Sequence, residues 1–302
     1  MKVPHELIEA IAISCYAISA HRAFIYLRGE YADAARVLSK ALADAEGKGF
    51  IGRNILGSGF DLTITLHCGA GSYECGEETA LLESLEGKRG MPRIKPPFPA
   101  SVGLYGKPTV INNVETLANI PHIVLHGAAW FAAIGTPKST GTRIFSVSGH
   151  VSRPGNYELP MGVPLRTLIE DCAGGVADGR RLKAVIPGGS SSPVLPADRI
   201  DTPLDFESIA AAGSSLGSAG VIVMDERTDM VRVALRLMQF YTHESCGKCT
   251  PCRIGAQRMV DILARIVRGK GKLADLERLE SLAVAMKNGS LCGLGQTAFN
   301  PV

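Results

Sequence analysis

Three cysteines crowd into Cys246-Gly247-Lys248-Cys249-Thr250-Pro251-Cys252, and a fourth, Cys292, follows beyond a helical pattern. This Cys-x2-Cys-x2-Cys spacing constrains the chain more than any other feature, because thiols so close on one loop point to a metal centre. Three thiolates at this spacing can reach three irons of a [4Fe–4S] cube, and a distant cysteine takes the fourth. Gly247 lets the backbone wrap tightly, and Pro251 is expected to keep the loop from closing into a helix. Lys248 and Arg253 put positive charge beside a negatively charged cluster, which eases its reduction. The alternative is a structural zinc on the same four thiolates. Zinc more often takes two separated Cys-x2-Cys pairs than a triple with a lone cysteine. The expected ligands are therefore Cys246, Cys249, Cys252 and Cys292, around a [4Fe–4S] cluster. Cys15, Cys68, Cys75 and Cys172 are scattered and read as ordinary buried thiols. His243 either tunes the centre through a hydrogen bond or packs as a plain histidine.

A metal loop needs a scaffold, and the composition provides one. The chain has 302 residues of which 46% are hydrophobic, enough for two or three domains and too apolar for a disordered chain. Its net charge of +3, with no basic stripe interleaved with aromatics, argues against nucleic acid. The apolar stretches 7–20 and 120–134 are interrupted by Glu9, Ser14 and Ser19 and by His122 and His126. Neither reaches the ~20 apolar residues of a spanning helix, so no direct membrane insertion is expected. Glu6 falls where a signal peptide would begin its apolar region, which points to the cytoplasm.

Patterns along the chain divide it into three. Helices are expected over 7–20, 31–45 and 79–85, with strands over 24–27 and 62–66, the βαβ order of a parallel sheet. A proline-rich connection, 91–99, cannot be regular structure. Strands are expected over 143–148, 157–159, 182–186 and 221–224 with one helix over 165–172, a small β-grasp module. From Met230 onward the pattern is helical, over 230–241, 256–267 and 273–286. Residues 188–192, Gly-Gly-Ser-Ser-Ser, read only as a loop. The glycines of 52–59 follow a helix and precede a strand, the wrong order for a dinucleotide loop.

The segments GAGSYECGEETALLESLE (69–86), PTVINNVETLANI (108–120), HESCGKCTPCR (243–253) and SLCGLGQT (290–297) resemble the NADH-binding flavoprotein subunit of respiratory complex I. The same family includes diaphorase subunits of NAD-reducing hydrogenases and formate dehydrogenases. The resemblance spans nearly the whole chain. It implies an α/β fold in three parts: a Rossmann-like FMN/NADH domain with a parallel sheet (1–138), a β-grasp, soluble-ligand-binding-like domain (139–227), and a helical bundle carrying the [4Fe–4S] cluster (228–302). It implies that NADH passes a hydride to FMN and that single electrons leave through the cluster. Gly76, Glu77 and Glu78 would meet flavin and nicotinamide nucleotide, and Asn112, Asn113 and Thr116 would contact the flavin. Without the resemblance, the two glutamates simply complement a helix dipole, and Asn112 is an N-cap with Glu115 as its capping-box partner. Implied partners are a thioredoxin-like [2Fe–2S] subunit and a multi-cluster iron–sulfur subunit, in a complex peripheral to the cytoplasmic face of the inner membrane.

Departures from the family pattern carry their own expectations. The family's Gly-Arg-Gly-Gly-Ala-Gly-Phe loop and its Asn-x-Asp-Glu segment occur nowhere in the 302 residues. The chain accordingly reads as a fragment with a complete cluster site, half a flavin site and an unpaired sheet edge. A non-catalytic electron-transfer module is the alternative this leaves open. Glu74 adds a third carboxylate beside Glu77 and Glu78, or points to solvent. Ile254-Gly255 and Gln296-Thr297 look closer to the hydrogenase and formate dehydrogenase diaphorases.

Overall fold

Aliphatic residues alternating with threonine near 62–66, and the helical spacing of Leu38, Ala41 and Ala45, set up a strand–helix–strand unit. The computed structural model, which describes residues 3–302, forms it. Its first elements are α1 (Pro4–Ala17), β1 (Arg22–Leu27), α2 (Ala32–Gly47) and β2 (Thr63–Cys68). Pro4 sits in the first turn of α1, where a missing N–H costs little. β1 and β2 pair in parallel with Ile25 opposite Leu66, so α2 is the crossover that parallel pairing requires. Leu7, Ile11 and Cys15 of α1 close a core with Ile25, Leu38 and Leu62. Next come α3 (Glu78–Leu85), α4 (Val114–Ala118) and α5 (Ile120–His126). Packing divides the chain between Ala128 and Ala129 into two compact units.

Residues 91–99 are irregular, as their prolines dictate, but they are pinned. Arg93 donates to Glu83 at 2.6 Å, to Glu86 at 2.8 Å and to the Gly103 carbonyl at 3.0 Å. Its N–H donates to Thr79 Oγ1 at 2.8 Å. Burial alone would raise the Glu86 carboxyl, but bonds from Lys88, Arg93 and the Tyr105 N–H outweigh it and hold the pKa down at about 2. An unfolded glutamate titrates near ~4.3. This clamp therefore contributes stability that is fully present above ~4.3 and is lost as the pH falls from there toward 2. Denaturant midpoints measured at pH 6 and pH 2.5 should drop less in Glu86→Gln than in the parent. Equal drops would show that Glu86 carries none of the acid sensitivity.

α6 (Ala128–Ala132) leads into the second unit, where β3 (Thr142–Gly149), β4 (Gly155–Pro160), β5 (Leu182–Ile186), β6 (Leu195–Pro196) and β7 (Gly220–Asp225) form one mixed sheet. α7 (Phe206–Ala211) joins β6 to β7. The order is β4-β3-β7-β5-β6, with β3 and β7 parallel and every other pair antiparallel. The helix expected over 165–172 forms, with its last six residues, Thr167–Cys172, wound as a π-helix. Its Leu168 and Ile169 are fully buried against Phe145, Val221 and Val223. Each such burial stabilises by roughly 1.5–3 kcal/mol.

The remainder is helical: α8 (Met230–Glu244), α9 (Thr250–Val267), α10 (Ala274–Gly289) and α11 (Gly293–Thr297). Met238, Tyr241, Ala256, Met259, Leu263 and Met286 meet in their core. Pro251 does not keep the cysteine loop out of a helix. It opens α9 from the first turn, the one place in a helix that tolerates proline. The 188–192 loop also has a job that its composition hides. Ser190 Oγ bonds the buried Tyr241 hydroxyl at 2.6 Å, and Asn300 Nδ2 donates to the Ser191 carbonyl at 2.9 Å. Together with Ile186 and Met224 against Met230, Val233 and Leu237, these contacts fix the bundle to the sheet. Among the described residues, no helix is long and apolar enough to cross a membrane.

Candidate functional site

The cysteine loop is built from the ends of four helices. α8 stops at Ser245, whose N–H returns to the Tyr241 carbonyl. Gly247 then turns the chain at φ +77°, a left-handed conformation that glycine adopts without strain. Cys249 caps α9 and Cys252 lies in its first turn, 5% exposed. Arg253 does more than add charge: its guanidinium donates to the Gly247 carbonyl and, at 3.4 Å, to Thr250 Oγ1, stapling the loop to the helix.

Two close approaches deliver the distant cysteine. A Cβ on Gly255 would stand 2.6 Å from Met286 Cγ, and one on Gly289 would stand 2.9 Å from Pro251 Cγ. Only glycine at both positions lets α10 run so close to α9. The chain leaving α10 therefore arrives at the first turn of α9, where Cys292 caps α11. Gly295 of α11 rests against the loop, and a Cβ there would lie 2.9 Å from Cys252 Cβ. Gly255, Gly289 and Gly295 thus belong to the site. Sequence reasoning missed them, since glycine in a helical pattern gives no sign of what crosses it.

The donor set fits a cluster. Its members would be four thiols, with Cys252 buried and Cys246, Cys249 and Cys292 half-buried. Among the described residues, no three His, Cys, Asp or Glu side chains gather as the ligands of a single ion do. A four-iron cube instead takes one thiolate at each iron, which spreads them. Ser290 Oγ is buried without a hydrogen-bond partner, a donor left open for an acceptor. Cys246, Cys249, Cys252 and Cys292 would be the four thiolates to hold a [4Fe–4S] cluster, whose sulfides would offer such acceptors.

In the first unit both parallel strands end in glycine turns, at the sheet end where open α/β sheets bind ligands. Gly29 after β1 and Gly69 after β2 touch there: a Cβ on Gly29 would lie 2.4 Å from the Gly69 carbonyl oxygen. The chain then reaches Gly76, beside which a Cβ would meet nothing within 4 Å. Glu77 caps α3 with one oxygen, accepting from the Thr79 N–H at 2.9 Å and the Ala80 N–H at 2.8 Å. Burial would raise its carboxyl, but Thr79, Ala80 and Lys95 together hold it below the ordinary value. Lys95 bridges Glu77 and Glu78, and those bonds outweigh burial to raise its ammonium. Glu78 keeps a side chain 43% exposed. Nothing in the sequence pairs Lys95 with these glutamates, because the link is made by the fold of the proline-rich connection.

Several expectations change. The cap of α4 is Asn113, which accepts from the Glu115 N–H at 2.8 Å, so Asn112 is not the N-cap. The reason is register: α4 starts one residue later than a capping box on Asn112 requires. Asn112, Asn113 and Thr116 are all exposed. Glu74 does not point to solvent, being 3% exposed in the 3-10 turn before α3. Cys15 and Cys75 are buried as expected, whereas Cys68 is exposed at the end of β2.

Comparison with known proteins agrees with this layout. Residues 1–122 match the Nuo51 FMN-binding domain, 143–233 the SLBB domain, and 232–302 the NADH-ubiquinone oxidoreductase-F iron-sulfur binding region. The second F-type subunit of NADH-quinone oxidoreductase in Rhizobium meliloti (strain 1021) is 55% identical over 295 residues, covering 98% of this chain and 70% of the relative. The F-type subunit of NADH-quinone oxidoreductase in Mycobacterium bovis is 53% identical over 302 residues, 100% of this chain and 68% of the relative. A crystal structure of an NAD+-reducing [NiFe]-hydrogenase in the H2-reduced state superposes with a TM-score of 0.88 at 40% identity, over 99% of this chain and 49% of that one. Identity and coverage of this order settle the kinship: the chain belongs to the family of F-type subunits of NADH-quinone oxidoreductase.

Proposed function

We propose that this chain is the electron-input part of an NADH-quinone oxidoreductase, oxidising NADH at FMN and passing single electrons to the [4Fe–4S] centre. The observation that supports this is the close approach of Gly295, three residues after Cys292, to Cys252 in the first turn of α9. FMN, when bound, takes a hydride from NADH and gives up electrons one at a time. No side chain needs to act as acid or base, so the residues bind and orient. Glu77 is committed to capping α3, which leaves the exposed Glu78 to face the nicotinamide nucleotide. Gly76 leaves room for a ring to approach, and Asn112, Asn113 and Thr116 offer exposed polar groups to the flavin.

The partners we infer are a thioredoxin-like [2Fe–2S] subunit and a multi-cluster iron–sulfur subunit, in an assembly peripheral to the cytoplasmic face of the inner membrane. A second reading, the diaphorase subunit of an NAD-reducing hydrogenase, is favoured by the superposition on such a structure. Both readings share the same test. The anaerobically purified chain, supplied with FMN, is expected to reduce ferricyanide with NADH. Glu78→Gln should raise the KM for NADH severalfold and leave the melting temperature unchanged. An intact cluster and bound FMN without turnover would reduce the role to electron transfer alone.

A further inference from the structure

Two serine hydroxyls stand beside Cys252, and neither is a ligand. Ser245 Oγ lies 3.3 Å from Cys252 Sγ. It also accepts from the Gly247 N–H at 3.3 Å. A hydroxyl has one proton, and a metal-bound cysteine has none, so the donor of the oxygen–sulfur bond is Ser245. The Gly247 N–H meanwhile occupies a lone pair of the same oxygen and helps to orient it. Ser290 carries the second hydroxyl. Its side chain is 6% exposed and its Oγ has no hydrogen-bond partner. A Cβ on Gly295 would meet Ser290 Oγ at 2.5 Å and Cys252 Cβ at 2.9 Å, so hydroxyl and cysteine line one small space. Leaving such a donor buried and unmet is costly, and the acceptors that a cluster brings there are sulfur atoms carrying negative charge.

We infer that the Ser245 and Ser290 hydroxyls donate to sulfur on the Cys252 side of the cluster and hold its reduction potential up. This rests on the four-cysteine cluster of the proposed function. Reduction adds one electron and makes or breaks no bond. The added negative charge strengthens each O–H···S bond, so the bonds favour the reduced form, as hydrogen bonds to cluster sulfur generally do. Both serines are positioning residues, since they act through the cluster and touch no substrate.

The test is a potentiometric titration, followed by electron paramagnetic resonance, on the full chain purified anaerobically with its cluster. In Ser245→Ala the reduction equilibrium is expected to fall roughly tenfold, which for one electron is about 59 mV. Iron and sulfide content should stay at the parent's level, and Ser245→Thr should restore the potential. An unmoved midpoint at full iron content would overturn the inference, because a merely structural serine predicts that result. If Ser245→Ala loses its cluster, Ser290→Ala decides: a lowered midpoint supports the inference and an unchanged one overturns it. A parent chain that never holds iron and sulfide would sink the cluster reading itself. A parent with a full cluster and unshifted variants would sink this inference alone.

Discussion

Valine in place of Gly295 is expected to strip iron and acid-labile sulfide from the protein, while alanine in place of Gly293 leaves both intact. The two glycines are neighbours on the same short helix, and only their surroundings separate them. A Cβ at Gly293 would meet nothing within 4 Å. At Gly295 it would stand 2.5 Å from Ser290 Oγ, 2.6 Å from Ser290 Cβ and 2.9 Å from Cys252 Cβ. Ser290 and Cys252 are both buried, so neither can swing aside. One inserted methyl in a packed interior costs about 1–3 kcal/mol, and valine adds two more carbons. α11 then lifts away from α9 and takes Cys292 with it. Iron and sulfide assays, with the absorbance of the brown protein near 400 nm, read the result. A full cluster in Gly295→Val would mean that α11 does not bring the fourth ligand. Since residues 1–128 pack as a separate unit, their far-ultraviolet dichroism and flavin affinity should survive the change.

Cys252→Ala should have a comparable effect by a more direct route, reducing bound iron to background. Cys172→Ala should keep the parent's content. A thiolate ligand contributes to folding as well as to binding, because the cluster exists only on the folded loop. The Cys252 variant should therefore also unfold its helical part at a lower temperature. Cys252 is the informative position because it is the most buried of the four and touches both Ser245 and α11. The same assay decides between metals. Iron and sulfide in the parent, absent from the variant, agree with the cluster. Zinc without sulfide in the parent would restore the structural-zinc alternative and remove any redox role from the loop.

The cysteine motif was legible in sequence because three cysteines on one loop are a local pattern. The parallel pairing of β1 and β2 was legible for the same reason, as alternation and helical spacing are short-range signals. Sequence rules failed where one local pattern had two outcomes. Pro251 breaks a helix from within but starts one from its first turn, and only the position of Cys249 as cap decides which. Asn112 and Asn113 are equally good caps on paper, and a one-residue difference in where α4 begins selects the second.

Residue type and spacing by themselves pointed to a cysteine-bound centre and set out the three-part order of sheet, mixed sheet and helices, with no apolar stretch long enough to span a bilayer. Tertiary structure alone decided which glycines matter, where Lys95 and Arg93 reach from an irregular connection to the acidic α3, and that Ser245 stands beside Cys252 sulfur. The physical reason is range. Periodicity and spacing act over one or two turns of chain, whereas close packing is set by whatever comes from elsewhere to fill the space. Gly295 is an unremarked residue in the sequence until Ser290 and Cys252 arrive against it.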